Sequence, residues 1–267
     1  MKKLTDWDAE TYDKVTENLE QWGTTIMKNR NWSGNETVLD AGCGSGKLTK
    51  TISLVTKGKI YAVDKDPDMV RKAKENLFGI KNVTVIQSDL LTLDDEIKNI
   101  KMDVIFSNAV LHWIHDHYTV FLNFRSMLNN MSETGGELLI QCGGYGNLSN
   151  AISIFEQVKN HHNFKNYFSE WKNPWNFAKP NDTESLLKEL GYRNIKTSLF
   201  HIPVIFKDKD SYLTYIKTVI LGPYLKQLPS DELKHGFLVE ITRLVENKYP
   251  EMMWNLDYVR LNIVASN

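Results

Sequence analysis

Three aspartates follow short apolar runs, and a glycine-rich turn lies beside the first of them. Asp40 stands in the segment VLDAGCGSGKLTK, Asp64 comes 18 residues after the last glycine of that segment, and Asp89 follows a third apolar run. The glycines of the turn are Gly42, Gly44 and Gly46. A carboxylate beside this turn would repel a pyrophosphate and attract a cationic ligand. Glycines would let the backbone approach that ligand closely.

Two phosphate-binding motifs do not fit this turn. A P-loop requires G-x-x-x-x-G-K-[ST], but Ala41 stands five residues before Gly46, and Leu48 follows Lys47. A dinucleotide fingerprint requires G-x-G-x-x-G, whereas the spacing here is G-x-G-x-G. The sequence therefore disfavours a nucleotide triphosphate and an NAD dehydrogenase, although the latter stays a competing interpretation.

Short apolar runs that alternate with helix-like segments position these residues. Continuous runs of β-branched and aliphatic residues are typical of strands covered on both faces of a parallel sheet. Asp66 and Pro67 are a capping residue and a first helical residue between two such runs. This alternation predicts a doubly wound α/β sheet, in which the three acids meet at the carboxyl ends of the strands. The predicted strands are 37–41, 59–64, 82–87, 103–108 and 136–142.

The alternation stops after Cys142. A loop and an aromatic-rich stretch at 149–180 come first, then a helix that ends at Gly191 and a further strand. Residues 208–248 look helical, and 258–265 is a final strand. We expect one α/β domain over 1–267 with an N-terminal cap at 1–30. Lid insertions are expected at about 143–180 and 208–250.

The composition narrows the class of protein. The chain has 267 residues, 42% of them hydrophobic, and a formal net charge of −1, which predicts no nucleic-acid or membrane partner. Two cysteines without a C-x-x-C pair favour a reducing, cytoplasmic location. No apolar run reaches the roughly 18 residues of a membrane helix, and the first residues do not resemble a signal peptide. The sequence leaves a monomer and a homodimer open.

The segment LDAGCGSG resembles motif I of class I S-adenosylmethionine-dependent methyltransferases. This resemblance implies a doubly wound, seven-stranded Rossmann-like methyltransferase sheet with helical lid insertions, and S-adenosylmethionine as the cofactor. In such enzymes an acid at the position of Asp64 accepts hydrogen bonds from the ribose hydroxyls, and the residue at the position of Asp89 faces the adenine. The cofactor-binding residues that we predict are Asp40, Gly42, Gly44, Gly46, Asp64, Lys65, Ser88, Asp89, Leu90 and Asn108.

A second segment, SNAVLHWIHDHY, is similar to the trans-aconitate methyltransferases, and more distantly to the juvenile hormone acid methyltransferases. The matching residues are Asn108, Ala109, Val110, Trp113, Asp116 and His117. The resemblance extends to WDAETY at 7–12, to 210–225 and to 249–265. It implies methylation of a carboxylate on a small-molecule acid. The segment Gln141–Asn147 departs from the family pattern in a loop expected to line the acceptor pocket, which leaves the particular acid open.

The chemistry of carboxylate methylation requires positioning rather than a base. A carboxylate is already ionised at pH 7, so the enzyme must align it with the methyl group and exclude water. We predict Trp113, Tyr12 and Arg260 as catalytic positioning residues. Arg260 would clamp an anionic end of the acceptor, or else pair with Asp257 or a lid carboxylate. The predicted substrate-binding residues are Tyr145, Tyr224 and Tyr258, with packing as the alternative for the last two.

Other interpretations of the sequence stay open. The enzyme could methylate a carrier-bound acyl group or a hydroxyl, and a non-catalytic S-adenosylmethionine-binding partner would carry the same cofactor motifs. The segment HWIHDH suggests a metal site through His112, His115 and His117, but His115 and His117 are two residues apart, a spacing that does not share a helix face. We therefore predict no metal.

Overall fold

A computed structural model describes residues 17–130, 135–248 and 254–267. The described residues fall into two compact units. The larger unit comprises the described residues of Thr16–Tyr145, Trp175–Phe200 and Arg260–Asn267, and the smaller unit comprises Gly146–Pro174 and the described residues of His201–Val259. The expected single domain with a cap and two lid insertions stays a prediction.

Within the described residues, seven strands form one sheet in the order β3-β2-β1-β4-β5-β9-β6, and β7 pairs with β8. The strands β1 to β5 pair in parallel, and β9 runs antiparallel to β5. This confirms the predicted doubly wound, seven-stranded sheet. The strands are β1 Val38–Ala41, β2 Ile60–Asp64, β3 Val83–Gln87, β4 Val104–Asn108, β5 Glu137–Gly143, β6 Arg193–His201, β7 Val204–Ile205, β8 Asn255–Leu256 and β9 Val259–Ser266.

Helices of the larger unit cover both faces of this sheet. The helices of this unit are α1 Glu17–Lys28, α2 Lys47–Val55, α3 Pro67–Asn76, α4 Asp95–Lys98, α5 His117–Met127 and α7 Pro180–Glu189. Ile26 of α1 and Ile52 of α2 pack on one face, against Val38 and Phe106. Phe121 of α5 packs in the cluster on the opposite face. Burial on both faces explains why the central strands β1, β4 and β5 are mostly apolar along their length.

The smaller unit is mainly helical. Its helices are α6 Ser149–Lys159, α8 Lys209–Tyr215, α9 Gly222–Gln227 and α10 Asp231–Lys248. The predicted helical region 208–248 is interrupted by a π-helical turn at Ile216–Ile220 and by a new start at α9, which has Pro223 in its first turn. Ser230 Oγ accepts from the Leu233 amide at 3.2 Å and so begins α10, as its capping residue type predicts.

Helix starts elsewhere follow the local sequence. Asp66 Oδ1 accepts from the Asp68 and Met69 amides, and Pro67 supplies the first turn of α3 without needing an amide partner. The strands begin and end within one residue of the predicted bounds. None of the helices in the described parts of the chain is long and apolar enough to cross a bilayer.

Candidate active site

The glycine-rich turn joins β1 to α2 and leaves its backbone open at one point. Gly44 has a φ of 54°, and a Cβ added there would meet no atom of the described residues within 4 Å. Gly42 has a φ of 81°, but a Cβ there would lie 2.2 Å from the Val110 side chain. Gly46 caps α2 with a φ of 84°. The space beside Gly44 is therefore the place where a ligand can approach this backbone.

Asp64, the last residue of β2, is bonded to this turn. The Gly44 amide donates to Asp64 Oδ2 at 2.8 Å, and the Asp66 amide donates to Oδ1 at 2.9 Å. Burial raises the pKa of Asp64, although these two hydrogen bonds oppose the rise. Each carboxylate oxygen retains a second lone pair. The side chain can therefore accept two further hydroxyl groups, as a ribose would require.

Asp40 lies deeper, on β1, and is 2% exposed. Thr49 Oγ1 of α2 donates to Asp40 Oδ2 at 2.6 Å. Burial raises the pKa of Asp40 to about 7; the Thr49 hydrogen bond opposes the rise, and repulsion from Asp64 adds to it. A cationic group near this carboxyl would favour its ionised form. The site therefore fits a positively charged ligand better than a phosphate.

Asp89 follows β3, the next strand along the same edge, and its Oδ1 accepts from the Leu91 amide at 2.9 Å. The Ser88 amide donates to the Asp64 carbonyl at 3.0 Å, which holds this turn beside β2. Leu90 is buried, whereas Lys65 is exposed. Because β3, β2 and β1 are neighbours in the sheet, the structure brings the three predicted acids to adjacent strand ends.

Asn108 ends β4 beneath α1. Its Nδ2 donates to the Leu19 carbonyl at 2.9 Å. Gln141, opposite it on β5, donates through Nε2 to Asn262 Oδ1 of β9 at 2.8 Å. Within the described part of the chain, Asn108 Oδ1 and Gln141 Oε1 are buried without a hydrogen-bond partner. These amides form a polar row across the sheet, next to the predicted cofactor turn.

Arg260, near the start of β9, is 1% exposed. Its guanidinium carbon lies 5.0 Å from the ring centroid of Trp22 on α1, a cation–π contact. The alternative partner Asp257 directs Oδ2 to the Ser149 hydroxyl and the Asn150 amide, at 2.8 and 2.9 Å. Arginine is always charged, and its planar fork suits a carboxylate. Arg260 is therefore a deeply buried cation within the larger unit.

His112 is a buried residue of this region whose position in HWIHDH suggested only a metal ligand. The Gly143 amide donates to His112 Nδ1 at 3.1 Å. Burial and then the charge of Arg260 lower the pKa of His112 well below its usual range. The ring is thus a neutral group beside a cation. The His-Trp pair after the fourth strand is the sequence signal that could have marked this residue. Its contact with Gly143 has no local signal, because Gly143 lies 31 residues further along the chain.

The remaining candidates of the larger unit lie on loops. Trp113 ends a 3₁₀ turn at Leu111–Trp113, is half-buried, and has its ring centroid 5.8 Å from that of Trp175. Tyr145 is 57% exposed, and Lys179 Nζ lies 4.9 Å from its ring centroid. Tyr12 lies outside the described residues. The structure therefore brings Trp113, but not Tyr145, into contact with the ring of His112.

The two other predicted tyrosines lie in the core of the smaller unit. Tyr224 donates to Glu156 Oε1 at 2.8 Å, and its ring lies 4.3 Å from that of Trp171. The hydroxyls of Tyr258 and Tyr215 are 2.9 Å apart and share a hydrogen bond. Packing, the alternative considered from the sequence, accounts for these contacts. A role in binding the acceptor stays a prediction for both.

The histidines of HWIHDH face different partners. His117 Nε2 lies 2.9 Å from the Leu111 carbonyl, whereas His112 Nδ1 faces Gly143. In residues 17–130, 135–248 and 254–267, no three His, Cys, Asp or Glu side chains are grouped to hold a metal ion. The absence of a metal requirement stays a prediction, which an activity measurement can test.

Comparison with known proteins places this chain in a family. A family model described as a methyltransferase domain matches residues 33–202. The chain is 27% identical over 262 residues to an uncharacterized methyltransferase of Schizosaccharomyces pombe, covering 97% of each chain. It is 29% identical over 239 residues to a trans-aconitate 2-methyltransferase of Agrobacterium fabrum, covering 85% of each.

A solved structure has the same fold. The crystal structure of an S-adenosylmethionine-dependent methyltransferase from Archaeoglobus fulgidus superposes with a TM-score of 0.55 at 14% identity, covering 98% of this chain and 100% of the other. Because the family model matches more than half of the chain, the protein belongs to the methyltransferase domain family. It is a class I S-adenosylmethionine-dependent methyltransferase, and S-adenosylmethionine is its cofactor, as the sequence predicted.

Proposed function

We propose that this enzyme methylates an ionised carboxylate of a small-molecule acid. The observation that carries the proposal is Arg260, a permanent cation buried to 1% exposure on β9 and packed over Trp22. Its strand neighbour Gly143 is the last residue of β5 and donates its amide to the ring of His112. A buried cation at this edge favours an anionic acceptor. The name of the Agrobacterium fabrum relative, a trans-aconitate 2-methyltransferase, supports the same class of substrate.

The acids Asp40 and Asp64 and the open space beside Gly44 support the binding of S-adenosylmethionine. Asp64 would accept the ribose hydroxyls with the lone pairs that Gly44 and Asp66 leave available. Asp40 is buried and would be stabilised in its ionised form by the positive charge of the ligand. The rest of the proposed cofactor site is Gly42, Gly46, Lys65, Ser88, Asp89, Leu90 and Asn108.

The reaction requires little proton chemistry from the chain. S-adenosylmethionine supplies an activated methyl group on a sulfonium. The proposed work of Arg260 and Trp113 is to hold the carboxylate in line with that methyl group and to exclude water. Water exclusion also strengthens the charge contacts within the site, because the effective dielectric constant falls. A general base is not needed for an acceptor that is already ionised.

A panel of acids tests the proposal. Purified protein is incubated with tritiated S-adenosylmethionine and, in separate reactions, with trans-aconitate, other di- and tricarboxylic acids, long-chain fatty acids, phenols and primary amines. We expect transfer to a carboxylic acid and none to phenols or amines. Transfer confined to phenols or amines would contradict the proposal. Cofactor binding without transfer to any acceptor would favour a non-catalytic partner.

A further inference from the structure

The ring of His112 is fixed by a backbone group rather than by another side chain. The Gly143 amide donates to Nδ1, and the His112 carbonyl accepts from the Asn176 amide at 2.8 Å. A nitrogen that accepts a hydrogen bond carries no proton, so the proton of the neutral ring lies on Nε2. Nε2 has no hydrogen-bond partner among the described residues. The ring therefore presents a donor that no residue of 17–130, 135–248 or 254–267 accepts from.

We propose that His112 Nε2–H binds an oxygen of the acceptor carboxylate and makes the enzyme selective for acceptors that are ionised before they bind. This inference rests on the proposed function and adds a specificity-determining residue to it. His112 retains 8% exposure, whereas the adjacent Arg260 retains 1%. A neutral donor and a fixed cation together favour an oxyanion over a neutral oxygen.

The surroundings of the ring support this assignment. The His112 ring lies 5.4 Å from that of Trp113 and 6.0 Å from that of Phe177, between centroids, so aromatic walls flank it. Burial, and after it the charges of Arg260 and His117, lower the pKa of His112 and disfavour a protonated ring. The ring is therefore held in its neutral, single-donor form.

The same tautomer excludes a role as a general base. The lone pair of Nδ1 already accepts a hydrogen bond from the Gly143 amide, and Nε2 already carries a proton. A hydroxyl or an amine acceptor would need a group to take its proton during transfer, whereas a carboxylate would need only donors. His112 is therefore suited to bind a carboxylate acceptor and not to take the proton of a hydroxyl acceptor.

Two substitutions at this position separate the donor from the structural contact. In His112→Asn, the side-chain oxygen can replace Nδ1 and accept from Gly143, but its amide does not reach the position of Nε2. In His112→Gln, the amide nitrogen reaches that position, but the contact with Gly143 is not reproduced. The asparagine variant therefore keeps the contact with Gly143 and loses the donor, whereas the glutamine variant keeps the donor and loses the contact.

The kinetic test uses trans-aconitate, or otherwise the acid of lowest KM from the panel. We expect His112→Asn to raise the acceptor KM about 10- to 100-fold, the scale for one hydrogen bond to a charged group. The acceptor KM of His112→Gln should stay within about threefold of the wild-type value, because the donor is retained. Binding of S-adenosylhomocysteine should be unchanged in both variants. His235→Asn, an exposed histidine on α10, is the matched control.

A measurement on the wild-type protein covers the case in which a variant does not fold. Nitrogen-15 NMR of the imidazole, in the complex with S-adenosylhomocysteine, should show the proton on Nε2, and its resonance should shift when the acid is added. A proton on Nδ1, or a wild-type KM in His112→Asn, would overturn this inference and leave the proposed function standing. A panel in which no acid is esterified would overturn both.

Discussion

The hydroxyl of Thr49 donates to Asp40 Oδ2 at 2.6 Å and thereby connects the first turns of α2 to the buried carboxyl of β1. Burial outweighs this hydrogen bond, because the pKa of Asp40 is raised to about 7. The carboxyl is therefore close to half-ionised at neutral pH in the protein without ligand. A cationic ligand would draw it into the ionised form, which links cofactor binding to pH.

The affinity for S-adenosylmethionine should rise with pH between 5.5 and 7. The ionised form of Asp40 attracts the ligand. For a pKa of about 7, the ionised fraction of this carboxyl increases on the order of tenfold across that interval. Isothermal titration calorimetry at several pH values measures the effect. Asp40→Asn should bind more weakly and lack most of this slope. A flat profile in the wild type would contradict the role of Asp40.

The stability of the protein without ligand should change with pH in the opposite direction. The folded-state pKa of Asp40, about 7, exceeds its unfolded value of 3.8, so the folded protein holds the extra proton between these values. The contribution of Asp40 to the free energy of unfolding is full below pH 4 and falls as the pH rises towards 7. Urea unfolding of the wild type and of Asp40→Asn at pH 5.5 and 7.5 isolates it. We expect the wild type to lose stability relative to the variant as pH rises; equal changes would contradict the prediction.

Replacing Asp64 by alanine should weaken binding of S-adenosylmethionine by about 1.5–3 kcal/mol, the scale for losing hydrogen bonds to a charged group. Calorimetry measures the loss, and the thermal midpoint of the variant controls for folding. Asp68→Ala, an exposed acid on α3, is a matched control. Unchanged affinity in the Asp64 variant would refute its assignment to the ribose.

Replacing Arg260 by lysine should preserve the charge and lose the planar fork. We expect kcat/KM for the acceptor to fall by a factor that corresponds to about 1.5–3 kcal/mol of lost transition-state stabilisation. The affinity for the cofactor should be retained. Arg243→Lys is a matched control, because Arg243 is exposed and paired with Glu240. A lower melting temperature with a normal acceptor KM would instead assign Arg260 a structural role.

Turnover should not require a divalent metal ion. An ionised carboxylate needs neither a Lewis acid nor a metal-bound water for methyl transfer. The measurement is the initial rate before and after dialysis against EDTA, with zinc and magnesium added back separately. Loss of activity on dialysis and its recovery with either ion would overturn the proposed mechanism.

The strands of the sheet and the acids at their ends could be predicted, because the signals for both lie in short stretches of the sequence. Continuous apolar runs marked strands with two buried faces, and each acid stood at the end of its own run. Asp66 and Pro67 likewise marked the start of α3, which begins at Pro67 as predicted. The interruption at Ile216–Ile220 was not predicted, because its residues IKTVI have no local signal that separates a π-helical turn from an α-helix.

The contacts around the proposed acceptor site could not be predicted, because they join distant parts of the chain. Trp22 and Arg260 meet only when α1 covers the sheet beside β9. The proton position on His112 depends on an amide 31 residues away, and that amide faces Arg260 only because β9 runs antiparallel to β5. A residue type and its neighbours in sequence do not reveal such a tautomer.

The alkali lability of the transferred methyl group tests the central claim most directly. After reaction of the wild type with tritiated S-adenosylmethionine and a carboxylic acid, mild base hydrolyses a methyl ester and releases volatile labelled methanol, whereas methyl ethers and methylamines retain the label. We predict that the label in the small-molecule product becomes volatile on treatment with base, and that its identity as the acid's methyl ester is confirmed by mass. A label that resists base would contradict methylation of a carboxylate.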